Sequence, residues 1–121
     1  VNVSDTVVIV DDNDEFRART RALLDGDGYR VIGDAADGTS GLETVRVLRP
    51  DIALLDVQLP DTSGFAIARR LRRQAETAVV IISTRDARDY ASAVSGCGAL
   101  GFISKAEICG DALRAVLDGA S

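Results

Sequence analysis

Three kinds of side chain in this sequence could do chemistry together: the carboxylates Asp11, Asp12 and Asp56, the hydroxyl of Ser83 and the ammonium of Lys105. Carboxylates with no histidine anywhere in the chain form an oxygen-only donor set. Such a set suits a hard cation, Mg2+ or Mn2+, rather than zinc or copper. A carboxylate oxygen can also act as a nucleophile and take a phosphoryl group as an acyl phosphate, a transfer that depends on positioning and charge stabilisation. Lys105 and Ser83 would then face phosphoryl oxygens, one as a point charge and one as a hydrogen-bond donor. Lys105 stands out because every other basic residue among the 14 is arginine, and a compact ammonium is not replaceable by a planar fork where space is tight. Residue types alone do not say which carboxylate is the nucleophile. The absence of histidine does exclude Ser-His-Asp and Cys-His catalysis and phosphohistidine chemistry on this chain.

These groups act together only if the elements carrying them bring them together. Thr6 to Val10 is a continuous β-branched run that stops at Asp11-Asp12, and Ile52 to Leu55 is a short apolar run that stops at Asp56. Ala78 to Ile82 stops at Ser83, and a short run from Leu100 to Ser104 stops at Lys105. With Tyr29 to Ala35, these predict five strands. Between them lie helical patterns. Phe16, Thr20, Leu23 and Leu24 recur at helical spacing after Asn13-Asp14; Leu42, Val45 and Leu48 predict a second inward face; and a third helix spans about Phe65 to Gln74. Arg85 to Asp89 reads as charged loop or helix start, followed by a weak Ala- and Ser-rich helix to about Ser95, and a last helix from about Glu107 to Leu117 has Ile108, Ala112, Ala115 and Val116 inward. Strand-helix alternation predicts a doubly wound α/β fold, a five-stranded parallel sheet with helices on both faces. Right-handed crossovers then put all strand tips on one edge, where such folds bind ligands, and Asp56 on the central strand is the geometric favourite for the nucleophile.

The acidic pair Asp11-Asp12, Asp56 in Asp-x-x-Leu-Pro-x-x-x-Gly, Ser83, and Phe102-x-x-Lys105, in that order, resemble the receiver domain of two-component response regulators over essentially the whole chain. The resemblance implies a flavodoxin-like strand order, 2-1-3-4-5. It implies that Asp56 is phosphorylated by a sensor histidine kinase, and that Asp11, Asp12, Asp56 and the Gln58 backbone carbonyl bind Mg2+. Lys105 would contact the phosphoryl group, while Ser83 and Phe102 would act as the switch pair. Gln58 and Arg85 stand where the family tunes dephosphorylation. The first helix, with Phe16 and its arginines, resembles the kinase-docking surface, and the last two helices with the fifth strand resemble the output face, often used for dimerisation. Ala106 departs from the proline common after the lysine, which leaves that bend less fixed.

At 121 residues, residues 1–121 read as one receiver domain. Apolar residues at 46% and charged residues at 27% describe an ordinary globular protein; with no membrane-length apolar run and no signal peptide, a cytoplasmic location is expected. A net charge of −5 makes direct nucleic-acid binding by this domain unfavourable. Arg69, Arg70, Arg72 and Arg73 read either as an anion-binding patch or as a solvated helix face. Cys97 and Cys109 lack metal or redox spacing and read as buried free thiols. Gly-Phe-Ile-Ser-Lys resembles receivers joined to a helix-turn-helix DNA-binding output domain of the NarL/LuxR kind. The chain opens on Val1, which favours a domain of a longer protein, with a stand-alone or atypical receiver acting as a protein-interaction module as the alternative. An aspartyl-phosphate phosphatase would need an Asp-x-Asp nucleophile motif after a strand, which Val10-Asp-Asp-Asn does not supply. The activity expected is self-catalysed aspartyl phosphorylation with slow autodephosphorylation, not that of a conventional enzyme.

Overall fold

The computed structural model describes residues 5–74, 76–84 and 90–119. Its five strands are β1 (Thr6–Val10), β2 (Arg30–Ala35), β3 (Ile52–Asp56), β4 (Ala78–Ser83) and β5 (Gly101–Ser104). They form one parallel sheet in the order β2-β1-β3-β4-β5. The helices are α1 (Asp14–Gly26), α2 (Gly38–Leu48), α3 (Gly64–Leu71), α4 (Ala91–Cys97) and α5 (Gly110–Gly119). Arg85 and the expected start of the fourth helix lie outside the described residues.

Alternation along the central strand explains the two layers. Ala53 and Leu55 of β3 point into a core shared with α2, α3 and α4, whereas Ile52 and Leu54 point into a second core shared with α1 and α5. Successive side chains of a strand face opposite sides, so a strand covered on both faces is apolar throughout. All five residues of β3 are buried, and each large aliphatic side chain so buried stabilises the fold by about 1.5–3 kcal/mol.

Helix starts are set by side-chain caps. Asn13, Asp37 and Ser63 have extended backbone, and their side chains accept from the amides of Phe16, Ser40 and Ala66. α2 ends before Pro50, with Arg49 in the left-handed region at φ 48. α4 has no side-chain cap bond, and Tyr90 stands at its start.

Several core assignments made from periodicity are corrected. Leu23 and Leu48 are 40% and 41% exposed, on the outer flanks of their helices. In the last helix Ala115 is exposed and Leu113 is fully buried. Ile108 is buried but precedes α5, so it cannot set the phase of that helix. Cys97 is a buried free thiol, but Cys109 is only half-buried, and its Sγ accepts from the amide of Ala112 in the first turn of α5.

Candidate functional site

Register brings the strand tips into one place. Val10 pairs with Leu55, so Asp11 and Asp56, the next residues on adjacent strands, lie side by side. Asp56 pairs with Ile82, which places Ser83 one step beyond, and Ser83 pairs with Ser104, which places Lys105 one step beyond that. β1 has β2 on one side and β3 on the other, so Asp11 and Asp56 stand at the switch point of strand order, where crevices form in open α/β sheets.

The three carboxylates converge: one oxygen each from Asp11, Asp12 and Asp56 lie within 4.8 Å of one another. Asp11 is fully buried and Asp56 is 6% exposed, while Asp12 faces solvent. Lys105 Nζ donates to Asp56 Oδ2 at 3.1 Å and forms an ion pair with Asp11 Oδ2. The same ammonium lies 4.7 Å from the ring centroid of Phe16. Asp12, Asn13, Asp56, Gln58, Ser83 and Lys105 line an open cleft of about 300 Å3 at this edge.

Burial is the main influence on Asp56, raising its pKa; the Asp11 charge adds to it, while Lys105 and the Gln58 backbone amide oppose it. For Lys105 burial pulls the ammonium down, yet the hydrogen bonds and charges of Asp11 and Asp56 outweigh it and hold its pKa above the ordinary lysine value. The arrangement is therefore two buried carboxylates bridged by one ammonium, with a third carboxylate at the rim. Oxygen ligands at this spacing fit a hard divalent cation, and two carboxylates this close favour a cation between them.

The surrounding loops are pinned. Asp11 Oδ1 accepts from the Asn13 amide at 2.9 Å, and Arg17 Nη1 donates to the Asp11 carbonyl at 2.6 Å. After β3, Val57 N–H donates to Ile82 O and Gly64 N–H to Val57 O, while Gln58 pairs with Ser63 in an isolated antiparallel bridge. Gly64 packs so closely that a Cβ there would lie 2.2 Å from the Asp56 carbonyl oxygen. Asp61 reaches back to α2, accepting from Gly38 N–H at 2.7 Å and from the Thr39 amide and hydroxyl. Those bonds lower its pKa to about 2.

Asp11, Asp12, Asp56, Ser83 and Lys105 are thus brought together, and Gln58 lines the same cleft. Phe102 stands apart from it, half-buried on β5 in a row of rings, with Tyr90 at 6.1 Å and Phe65 5.5 Å from Tyr90. Phe16 corrects the sequence reading: it is 4% exposed, so it offers no docking surface and instead packs beneath Lys105. Arg17 was also missed as a clamp on Asp11, although its place one turn after the Asn13 cap was a usable signal.

The family model for the response regulator receiver domain matches residues 7–117. This chain belongs to that family, the receiver domains of two-component systems. The receiver is 33% identical over 117 residues to a putative transcriptional regulator of Pseudomonas aeruginosa, covering 93% of this chain and 56% of that protein. It is 44% identical over 79 residues to the transcriptional regulatory protein CseB of Streptomyces coelicolor, covering 65% of this chain and 33% of that one. The chain therefore spans about half or less of these relatives' lengths. Among solved structures it resembles the signal receiver domain of the putative response regulator NarL from Mycobacterium tuberculosis, with a TM-score of 0.87, 32% identity and 98% of each chain covered. Receiver domains bind Mg2+ through an acidic pocket, and the carboxylate cluster here is of that kind. Among the described residues no helix is long and apolar enough to cross a membrane.

Proposed function

We propose that this receiver accepts a phosphoryl group on Asp56 from the phosphohistidine of a sensor histidine kinase. An Asp56 carboxylate oxygen attacks phosphorus, the bond from phosphorus to the histidine nitrogen breaks, and an aspartyl phosphate forms. Asp11, Asp12, Asp56 and the Gln58 backbone carbonyl would hold Mg2+ or Mn2+, which when bound offsets the negative charge of the carboxylates and the incoming phosphoryl oxygens. Lys105 exchanges its contact with Asp56 for one with a phosphoryl oxygen, keeping its ion pair with Asp11. Ser83, one register step from Asp56, donates to another oxygen. The observation that carries this reading is the Lys105 ammonium held between Asp56 and Asp11 at the mouth of an open cleft.

Phosphorylation adds nearly two charges at a strand tip, enough to bias the segment after Ser83 and the ring row ending at Phe102. The switch is read on the face formed by α4, β5 and α5, which controls self-association or a DNA-binding output domain in the whole protein. Gln58 and Arg85 set the lifetime of the phosphate, which the chain itself hydrolyses slowly. Incubation with acetyl phosphate and Mg2+ should add one phosphoryl group by intact mass, and solution size with beryllofluoride and Mg2+ should exceed that of the untreated chain. Absence of any added phosphoryl group would defeat the phosphoacceptor reading; unchanged size would defeat the dimer.

A further inference from the structure

Asp12 differs from the other two carboxylates of the cluster in what holds it. The Asp11 side chain is held by the Asn13 amide and by Lys105, and that of Asp56 by Lys105. The Asp12 side chain is exposed and makes no hydrogen bond or ion pair among the described residues. One of its oxygens nevertheless lies within 4.8 Å of oxygens from Asp11 and Asp56. Its direction is therefore set by the backbone that carries it.

A peptide group is planar, so a hydrogen bond to its oxygen or from its N–H limits rotation of the whole plane and the placement of the Cα atoms at both ends. Both peptide groups flanking Asp12 are held in this way. The one before it presents the Asp11 carbonyl, which accepts from Arg17 Nη1 at 2.6 Å. The one after it presents the Asn13 amide, which donates to Asp11 Oδ1 at 2.9 Å. The second bond closes within the turn; the first comes from a side chain six residues on, in α1. Upstream, the Asp11 amide donates to the Ala35 carbonyl at 3.0 Å, which holds the same turn against β2.

Arg17 is itself aimed by two further contacts, Nε to Asp34 Oδ2 on β2 at 3.4 Å and Nη2 to Asp14 Oδ1. Each contact uses a different nitrogen of the planar fork. The two carboxylates offset the guanidinium's charge, so beside a site for a cation Arg17 serves as an oriented donor rather than as a competing charge. Stabilisation of α1 does not account for the arrangement, because a cation near the N-terminus of a helix opposes the helix dipole. Nor does a surface pair with Asp14: that carboxylate is 88% exposed, whereas the Arg17 side chain is turned inward and only 15% exposed.

We propose that Arg17 is a positioning residue for the cation site, fixing the Asp11–Asp12 peptide so that the Asp12 carboxylate meets those of Asp11 and Asp56. The inference rests on the place given to Asp12 in the proposed ligand set. Amide chemical shifts of the full chain in NMR, followed as Mg2+ is added without any phosphodonor, test it. Arg17→Met keeps the stem and loses the donors, and it should raise the Mg2+ dissociation constant roughly tenfold, the scale of losing a partner that orients a metal ligand. Arg17→Lys keeps a cation and a donor but not the fork, and should fall between Arg17→Met and the parent. Circular dichroism should find both variants folded. Since Arg17 acts through Asp12, Arg17→Met should weaken Mg2+ by less than about twofold when Asp12→Asn is already present, a non-additivity that general destabilisation does not produce. A dissociation constant unchanged in both Arg17 variants, or the same loss with and without Asp12→Asn, would overturn the proposal while leaving the cation site standing. A parent chain that binds no Mg2+ would instead remove the cation site, and this inference with it.

Discussion

Lys105 reaches its two carboxylates across the face of Phe16, with its ammonium 4.7 Å from the ring centroid. The ring comes from α1 and the lysine follows β5, so the contact ties the first helix to the last strand at the point where charge is densest. Phe16 is buried, and truncating it to alanine opens a cavity as well as removing the aromatic face. Phe16→Ala should cost about 3–5 kcal/mol in denaturant unfolding. Phe16→Leu refills most of the space and should cost no more than about 2 kcal/mol, the scale of a desolvated cation–π contact plus a small repacking change.

Gly64 is a packing requirement on the backbone of the proposed phosphoacceptor. A Cβ there would meet the Asp56 carbonyl oxygen at 2.2 Å and its carbon at 2.9 Å, and backbone cannot swing aside as a flexible side chain can. Gly64→Ala should lose at least about 1–3 kcal/mol and lower the phosphorylation rate with it. Gly96, in α4, has nothing within 4 Å of the corresponding position. Gly96→Ala should therefore gain about 0.5–1 kcal/mol. Thermal unfolding of the two variants side by side checks both signs.

Acid should release the tie between the loop after β3 and α2. The pKa of Asp61 is lowered to about 2 by the Gly38 amide and the Thr39 hydroxyl and amide, against about 3.9 for a free aspartate. A carboxyl whose folded pKa is depressed contributes stability that is fully present above the unfolded value and is lost as pH falls through the folded one. Asp61→Ala should melt lower than the parent chain at pH 7, and the gap should close between about pH 4 and pH 2. A gap that persists unchanged at pH 2 would mean that the carboxylate charge is not what holds α2.

Divalent cation should stabilise the folded chain through the carboxylate cluster. A ligand that binds only the native state at about 100 times its dissociation constant adds about 2.7 kcal/mol. Mg2+ should raise the melting temperature, and chelation should reverse the rise. Asp12 is the exposed member of the cluster, so Asp12→Asn should fold normally and lose most of the Mg2+-dependent shift. An undiminished shift in that variant would remove Asp12 from the ligand set.

Most of the sheet was readable in the sequence because β1, β3 and β4 are apolar runs closed by a polar residue at the strand end or just after it, and β-strand side chains alternate simply. From strand-helix alternation the common edge followed, and with it the company of Asp11, Asp56, Ser83 and Lys105. Helix faces were harder. Ile108 looks like the first turn of the last helix but precedes it, so counting from Ile108 put Ala115 inside and overlooked Leu113. Phe16 shows a different difficulty: helical spacing marks it as inward-facing but carries no information about a lysine 89 positions later, because that contact depends on the register of five strands. Asp61 was likewise invisible, since a loop carboxylate capping a distant helix leaves no periodic trace.

The central claim is that Asp56 is the phosphoacceptor. An aspartyl phosphate is reduced by borohydride to homoserine, which marks the acceptor position permanently. After treatment with acetyl phosphate and Mg2+, then borohydride, peptide sequencing by mass spectrometry should find homoserine at position 56 and at no other aspartate, and Asp56→Asn should yield none. Homoserine at Asp11 or Asp12 instead, or a phosphoryl group retained by Asp56→Asn at the parent level, would contradict the account.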